Sequence, residues 1–156
     1  MDKLLLSPAW IVFPKVNIEA VPEHDTDESV EDLQINLSSS TSQDKEHTIQ
    51  INIGLSNNDH IENNLPYKLD VHVYATFDCN TDLYKLADKA RKEIAIDIST
   101  MLIGSLREII SSITSRAPWG AYIVPFISHE QLAENIIADL VKVHTSKKKK
   151  PIKKEH

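Results

Sequence analysis

The stretch KLDVHVYATFDCNTDLYKL, residues 68–86, changes its hydrophobic period partway along. Up to Phe77 the apolar residues fall at every second position: Leu69, Val71, Val73, Ala75 and Phe77 alternate with Lys68, Asp70, His72, Tyr74 and Thr76. Successive side chains of a strand point to opposite faces, so this segment predicts a strand buried on one side. Beyond Cys79 the spacing lengthens: Leu83, Leu86, Ala90, Ile94, Ile98, Leu102, Leu106, Ile109 and Ile113 form one stripe of a helix running from Asp82 to Ser115. Asn80 or Thr81 is placed to cap it, and its length suggests two helices joined near residues 88–92. Gly104 inside it either admits a second backbone or is simply tolerated.

Working back from this point, the alternation recurs. Ile49, Ile51, Ile53 and Leu55 oppose Gln50, Asn52 and Ser56, with a slip expected at Gly54, and Leu33, Ile35 and Leu37 oppose Gln34, Asn36 and Ser38. The polar linkers STSQDKEH (40–47) and SNNDHIENNLP (56–66) suit hairpin connections. A weaker alternation, Val16, Ile18 and Ala20 against Asn17 and Glu19, is bracketed by Pro14 and Pro22 and so predicts an edge strand. The acidic run PEHDTDESVED (22–32) has neither the glycine nor the terminal glutamate of a calcium loop, and reads as a solvated connection.

Working forward, the helix stops at Arg116-Ala117-Pro118 and an apolar segment with Trp119 and Tyr122 follows, closed by Pro125. Those aromatics are read either as core or as a contact surface; Pro118 and Gly120 around Trp119 argue against a central strand. A second helix starts at Ser128, which stands three residues before Gln131 as in a capping box, carries Leu132, Ile136, Leu140 and Val143 on one face, and fades near His144-Thr145. Four strands followed by two helices predict an α+β fold with an antiparallel sheet.

At 156 residues and 41% hydrophobic content the chain predicts one folded domain over 1–146, with a disordered lysine-rich tail at 147–156. Six lysines against Glu155 give that tail a charge of +5, so the net −6 leaves −11 on the remainder. An acidic body repels nucleic acid. The opening MDKLLLSPAWIVFP carries Asp2 and breaks at Ser7-Pro8 before an apolar signal core develops, and no apolar run reaches membrane-span length. The lone Cys79 excludes an internal disulfide and any paired-cysteine site. A soluble cytoplasmic protein is expected.

The inventory for catalysis is thin. Gly54, Gly104 and Gly120 are the only glycines, too few for a phosphate-binding loop. The seven histidines are scattered without metal-ligand spacing, and His72 belongs to the polar face of its strand. Cys79 has no evident base and reads as a small buried hydrophobe. No enzyme, metal or cofactor is predicted.

The order Leu106-Arg107-Glu108-Ile109-Ile110, then Ser115-Arg116, an aromatic, and an apolar run ending in proline resembles the core of the SecB family of protein-export chaperones. The match extends back through Ser99-Thr100-Met101-Leu102 and forward to His129-Glu130-Gln131-Leu132, within about residues 10–143. The resemblance implies a four-stranded antiparallel sheet, a long helix, a crossover loop and a shorter C-terminal helix. It also implies a homotetramer, a dimer of dimers with the long helices between the sheets, so that Leu102, Gly104, Leu106, Ile109 and Ile113 would lie at the oligomer interface. Its function would be ATP-independent holding of unfolded or nascent polypeptides, keeping them soluble or competent for translocation. Trp119, Tyr122, Ile123 and Val124 would be client-binding residues on the crossover loop, with Leu132 and Ile136 on the helix facing it. Glu19 and Asp70 match an acidic patch through which the family contacts the SecA translocase motor. SecB-like proteins also serve toxin–antitoxin systems by protecting an antitoxin. The chain departs from the family pattern at Ala117, at His129, in the acidic loop and in its basic tail, departures that bear on the motor contact more than on the fold.

Overall fold

The computed structural model describes residues 6–28, 35–45, 48–57, 64–80, 83–125 and 127–148. Leu33, Thr81, Asp82, residues 29–32 of the acidic run and residues 149–156 of the tail lie outside them. Four strands, β1 (Leu6–Ala20), β2 (Ile35–Lys45), β3 (Thr48–Asn57) and β4 (Tyr67–Cys79), precede two helices, α1 (Asp88–Thr114) and α2 (His129–Lys148). The strands form one antiparallel sheet in the order β1-β4-β3-β2. This is the α+β architecture and element order expected.

The alternation in β3 and β4 decides which face is covered. Ile49, Ile51, Ile53 and Leu55 on β3, and Leu69, Val71, Val73, Ala75 and Phe77 on β4, are all buried beneath the helices. Burying each such side chain is worth about 1.5–3 kcal/mol. No slip occurs at Gly54: it pairs with His72 on β4 and Ser38 on β2 in continuous register. It is simply an outward position of an unbroken alternation. A Cβ there would meet the Ser38 hydroxyl at 2.7 Å and the His72 ring at 2.9 Å, so the glycine lets these two side chains close over it.

Both outer strands are longer than their alternation suggested. The linker residues Ser40–Lys45 continue β2, because β3 needs a partner along its whole length and serines and threonines on an edge strand cost little. Thr41 donates its backbone N–H to Asp139 Oδ2 at 3.2 Å, and this bond ties α2 to the edge strand beneath it. β1 is an edge strand, as Pro14 implied, but it starts at Leu6. Its register against β4 shifts between Pro8 and Trp10 and between Val12 and Lys15, where prolines cannot donate to the ladder. At the end of β3, buried Asn57 substitutes for backbone: its amide donates to Tyr67 O at 2.7 Å and its side-chain oxygen accepts from Leu69 N at 2.8 Å.

The long stripe is a 3-10 turn at Leu83–Lys85 followed by α1, a single helix of 27 residues. The break falls at Leu86-Ala87, just before the expected junction. The N-cap residue is Ala87, whose side chain cannot cap, and Asn80 does not take that place. Arg91 does related work from inside the helix by donating to Leu83 O at 3.0 Å and Leu86 O at 3.1 Å. α2 starts where Ser128 predicted: its Oγ accepts from Gln131 N at 3.2 Å. The Gln131 side chain turns toward Asn135 instead of closing the box. α2 runs through Lys148, several residues beyond the expected end, and packs along α1 and over β2.

Candidate functional site

The thirteen residues from Ser115 to Ile127 cross from the end of α1 to the start of α2. The helix ends because Pro118 disfavours helical backbone at Ala117. Ala117 N then bonds Thr114 O, Gly120 N bonds Ala117 O, and Gly120 takes φ +77°, a left-handed conformation that side chains disfavour. From here the chain runs extended, and its side chains alternate: Ala121 and Ile123 point outward, while Tyr122 and Val124 are buried against the core.

Polar clasps hold this strap at both ends. Tyr67, fully buried at the start of β4, donates its hydroxyl to Gly120 O at 2.7 Å and accepts from Trp119 N at 3.0 Å. The indole N–H of Trp119 donates to Val21 O at 3.0 Å, and its ring meets His24 edge-on at 5.1 Å. His24 in turn contacts Asn64 O at 2.9 Å through Nδ1. Asn64, at φ 52°, ties down the start of the acidic run by bonding the backbone of Asp25 in both directions. The first part of that run is thus a fixed buttress for Trp119. Further along, Thr114 Oγ1 accepts from Tyr122 N at 2.8 Å, and Arg107 donates to Pro125 O at 3.1 Å. The Tyr122 ring meets Tyr67 edge-on at 6.3 Å. Its hydroxyl is buried without a hydrogen-bond partner among the described residues, and burial pushes its pKa up to about 12.

Of the residues expected to bind clients, Ile123 is 78% exposed and Trp119 is half-buried. Tyr122, Val124, Leu132 and Ile136 are buried in the core and present no surface while the strap is in place. Six residues adjacent in sequence or along one helix face therefore divide into an outer pair and an inner four. Of those expected at an oligomer interface, Leu102 and Leu106 are fully buried within the chain itself. Gly104 is exposed with nothing near its would-be Cβ, Ile109 is half-buried, and Ile113 is exposed. Toward its C-terminal half, the outward face of α1 includes Met101, Gly104, Glu108, Ser112 and Ile113, with Ser105 half-buried beside them. Between this face and β1 lies a groove of ≈ 350 Å³ lined by Phe13, Ser105, Glu108, Ile109 and Ser112.

On the uncovered face of the sheet, Asp70 is bonded to Lys15 and to His72 Nε2, the latter at 2.9 Å. The Lys15 hydrogen bond, with His72 assisting against slight desolvation, holds the Asp70 carboxyl below its ordinary value. Any stability this adds is present above the carboxylate range and is lost as pH falls through the lowered pKa. Glu19 stands opposite Lys68 in the β1–β4 register. The two acidic residues thus belong to a face of mixed charge. Trp10, 60% exposed, meets Tyr74 edge-on at 6.4 Å on the same face.

Sequence reasoning missed Tyr67, Thr114, Arg107 and His24 as the residues that fix the strap. Tyr67 is in phase with the apolar face of β4, so its pattern reveals burial but not the role of its hydroxyl.

Among the solved structures that resemble the chain are the following two. A SecB-like chaperone from Mycobacterium tuberculosis, in complex with a ChAD peptide from an antitoxin, matches with a TM-score of 0.49 and 13% identity over 79% of this chain and 88% of that one. A protein of unknown function from Streptococcus agalactiae matches with a TM-score of 0.45 and 7% identity over 79% of this chain and 98% of that one. No protein-family model and no curated protein matches the sequence. Likeness this remote transfers no function from one chain to another.

Proposed function

We propose that this protein is an ATP-independent holdase that captures unfolded polypeptide along its crossover strap. The observation that carries the reading is the strap itself: an extended apolar segment kept at the surface by hydrogen bonds to its main chain, with Ile123 almost fully exposed. A hydrophobe with no structural partner costs solubility, and such a surface suits contact with apolar chain. The half-buried Trp119 beside it adds an aromatic edge on a rigid support. The sequence motifs shared with the SecB family at Leu106–Ile110 and Ser115-Arg116 point the same way. Capture of this kind needs no reaction and no cofactor.

The outer face of α1 and the neighbouring groove offer Met101, Ile109, Ile113 and Phe13 to further copies of the chain. A homotetramer with its long helices at the centre would use this face, with Leu102 and Leu106 supporting it from beneath. No helix among the described residues is long and apolar enough to cross a membrane. The protein would work in the cytoplasm on nascent or unfolded clients.

A second reading is a dedicated chaperone for one partner, such as an antitoxin. The small outer apolar area, little more than Ile123 and the rim of Trp119, favours it, since one short segment would cover that area. The mixed charge around Asp70 and Glu19 gives a translocase motor such as SecA less to grip than an unpaired acidic patch would.

Ile123→Ser tests the surface. It should leave thermal stability within about 0.5 kcal/mol of the parent, as exposed substitutions do. Suppression of light scattering by a heat-unfolded client should fall several-fold. Undiminished suppression would remove Ile123 from the binding surface.

A further inference from the structure

Residues 121–125 are bound in the way a client would be. They run extended, with the two-residue period of a strand, yet they belong to no sheet. Two of the groups that hold them address main chain alone: Thr114 Oγ1 takes the N–H of residue 122, and Arg107 donates to the carbonyl of residue 125. Neither bond depends on which side chains the segment carries. Selectivity comes from two inward positions, Tyr122 and Val124, separated by one outward residue. Main-chain bonds combined with alternate side-chain pockets are the general means by which proteins hold extended peptides.

Resting on the holdase reading above, and adding an inner site to the outer contact at Ile123, we propose that the strap is also an internal occupant of a client groove. Clients displace it, and they are extended segments with an apolar aromatic at one position and a β-branched residue two positions on. The incoming segment takes the Thr114 and Arg107 bonds and fills the two pockets, while residues 121–125 swing outward. Gly120 with its left-handed φ is the pivot on one side, and Ser128, the cap of α2, bounds the other.

The fit of tyrosine in the first pocket is imperfect, because the Tyr122 hydroxyl is buried with no hydrogen-bond partner among the described residues. Phenylalanine presents the same ring without that hydroxyl. A client with phenylalanine at this position therefore out-competes the strap, and the strap's own tyrosine keeps it displaceable.

The test uses the full chain and a short synthetic peptide of polar residues carrying Phe-x-Val, compared with a peptide in which Phe and Val are adjacent. The alternating peptide should bind about tenfold tighter or better, and saturation with it should speed amide exchange at residues 119–124 while α1 stays protected. Tyr122→Phe, which removes the orphaned hydroxyl from the strap, should weaken peptide binding several-fold. Equal affinity for the two peptides would overturn the two-pocket register. Slower exchange at 119–124 would show the peptide lying on a closed strap and would overturn displacement. If unrelated unfolded proteins are kept soluble but neither peptide binds, the inference fails and the holdase reading stands. If neither proteins nor peptides bind, both fall.

Discussion

Ile136→Ala should lower stability by about 2–5 kcal/mol, the cost of emptying a fully buried aliphatic site that its surroundings refill only in part. Ile136 has no exposed surface and belongs to the cluster that joins α2 to β3 and β4. In a domain of this size each kcal/mol lowers the melting temperature by about 2–4 °C, so thermal unfolding reads the change directly. The position tests two distinct roles. The resemblance to the SecB family implies a client-groove position for Ile136, whereas the folded chain buries it in the core. A loss of client binding with stability changed by less than about 0.5 kcal/mol would show that the side chain lines an open groove in solution.

Tyr67→Phe should free the strap. One hydroxyl serves both Trp119 N and Gly120 O, and removing it strands a donor and an acceptor at the point where the strap leaves α1. Leaving a buried polar group unpaired costs about 1–3 kcal/mol, and the loss here falls on a local segment rather than on the whole sheet. The expected result is a melting temperature lower by a few degrees and, before global unfolding, faster amide exchange confined to residues 119–122. The ring remains, so packing against Tyr122 is retained. Exchange at 119–122 equal to that of the parent would show that the Trp119–Val21 bond and the Arg107–Pro125 bond hold the strap without Tyr67.

The central fold was legible because β3 and β4 are buried on one face only, and a one-sided strand writes its burial into every second residue. The edge strands were harder. Ser39, Ser40 and Ser42 on β2 carry no apolar signal, yet they are strand because β3 pairs with them throughout. Likewise the start of α1 was placed too early, since Leu83 and Leu86 share the helix's apolar phase although they precede its first turn. The crossover could be located from Pro118 and Gly120, but the direction of each side chain could not. Tyr122 and Val124 turn inward because main-chain bonds to Thr114 and Arg107 fix the segment's orientation, and those partners lie on a different element. The bond from Trp119 to Val21 spans 98 positions of sequence and leaves no local trace.

The most direct test of the holdase account is light scattering from two unrelated proteins unfolding in the presence of the purified chain, with no nucleotide added. The account predicts that aggregation of both is suppressed at near-stoichiometric chain. Suppression of neither, or binding confined to a single partner while unrelated clients precipitate, would contradict it.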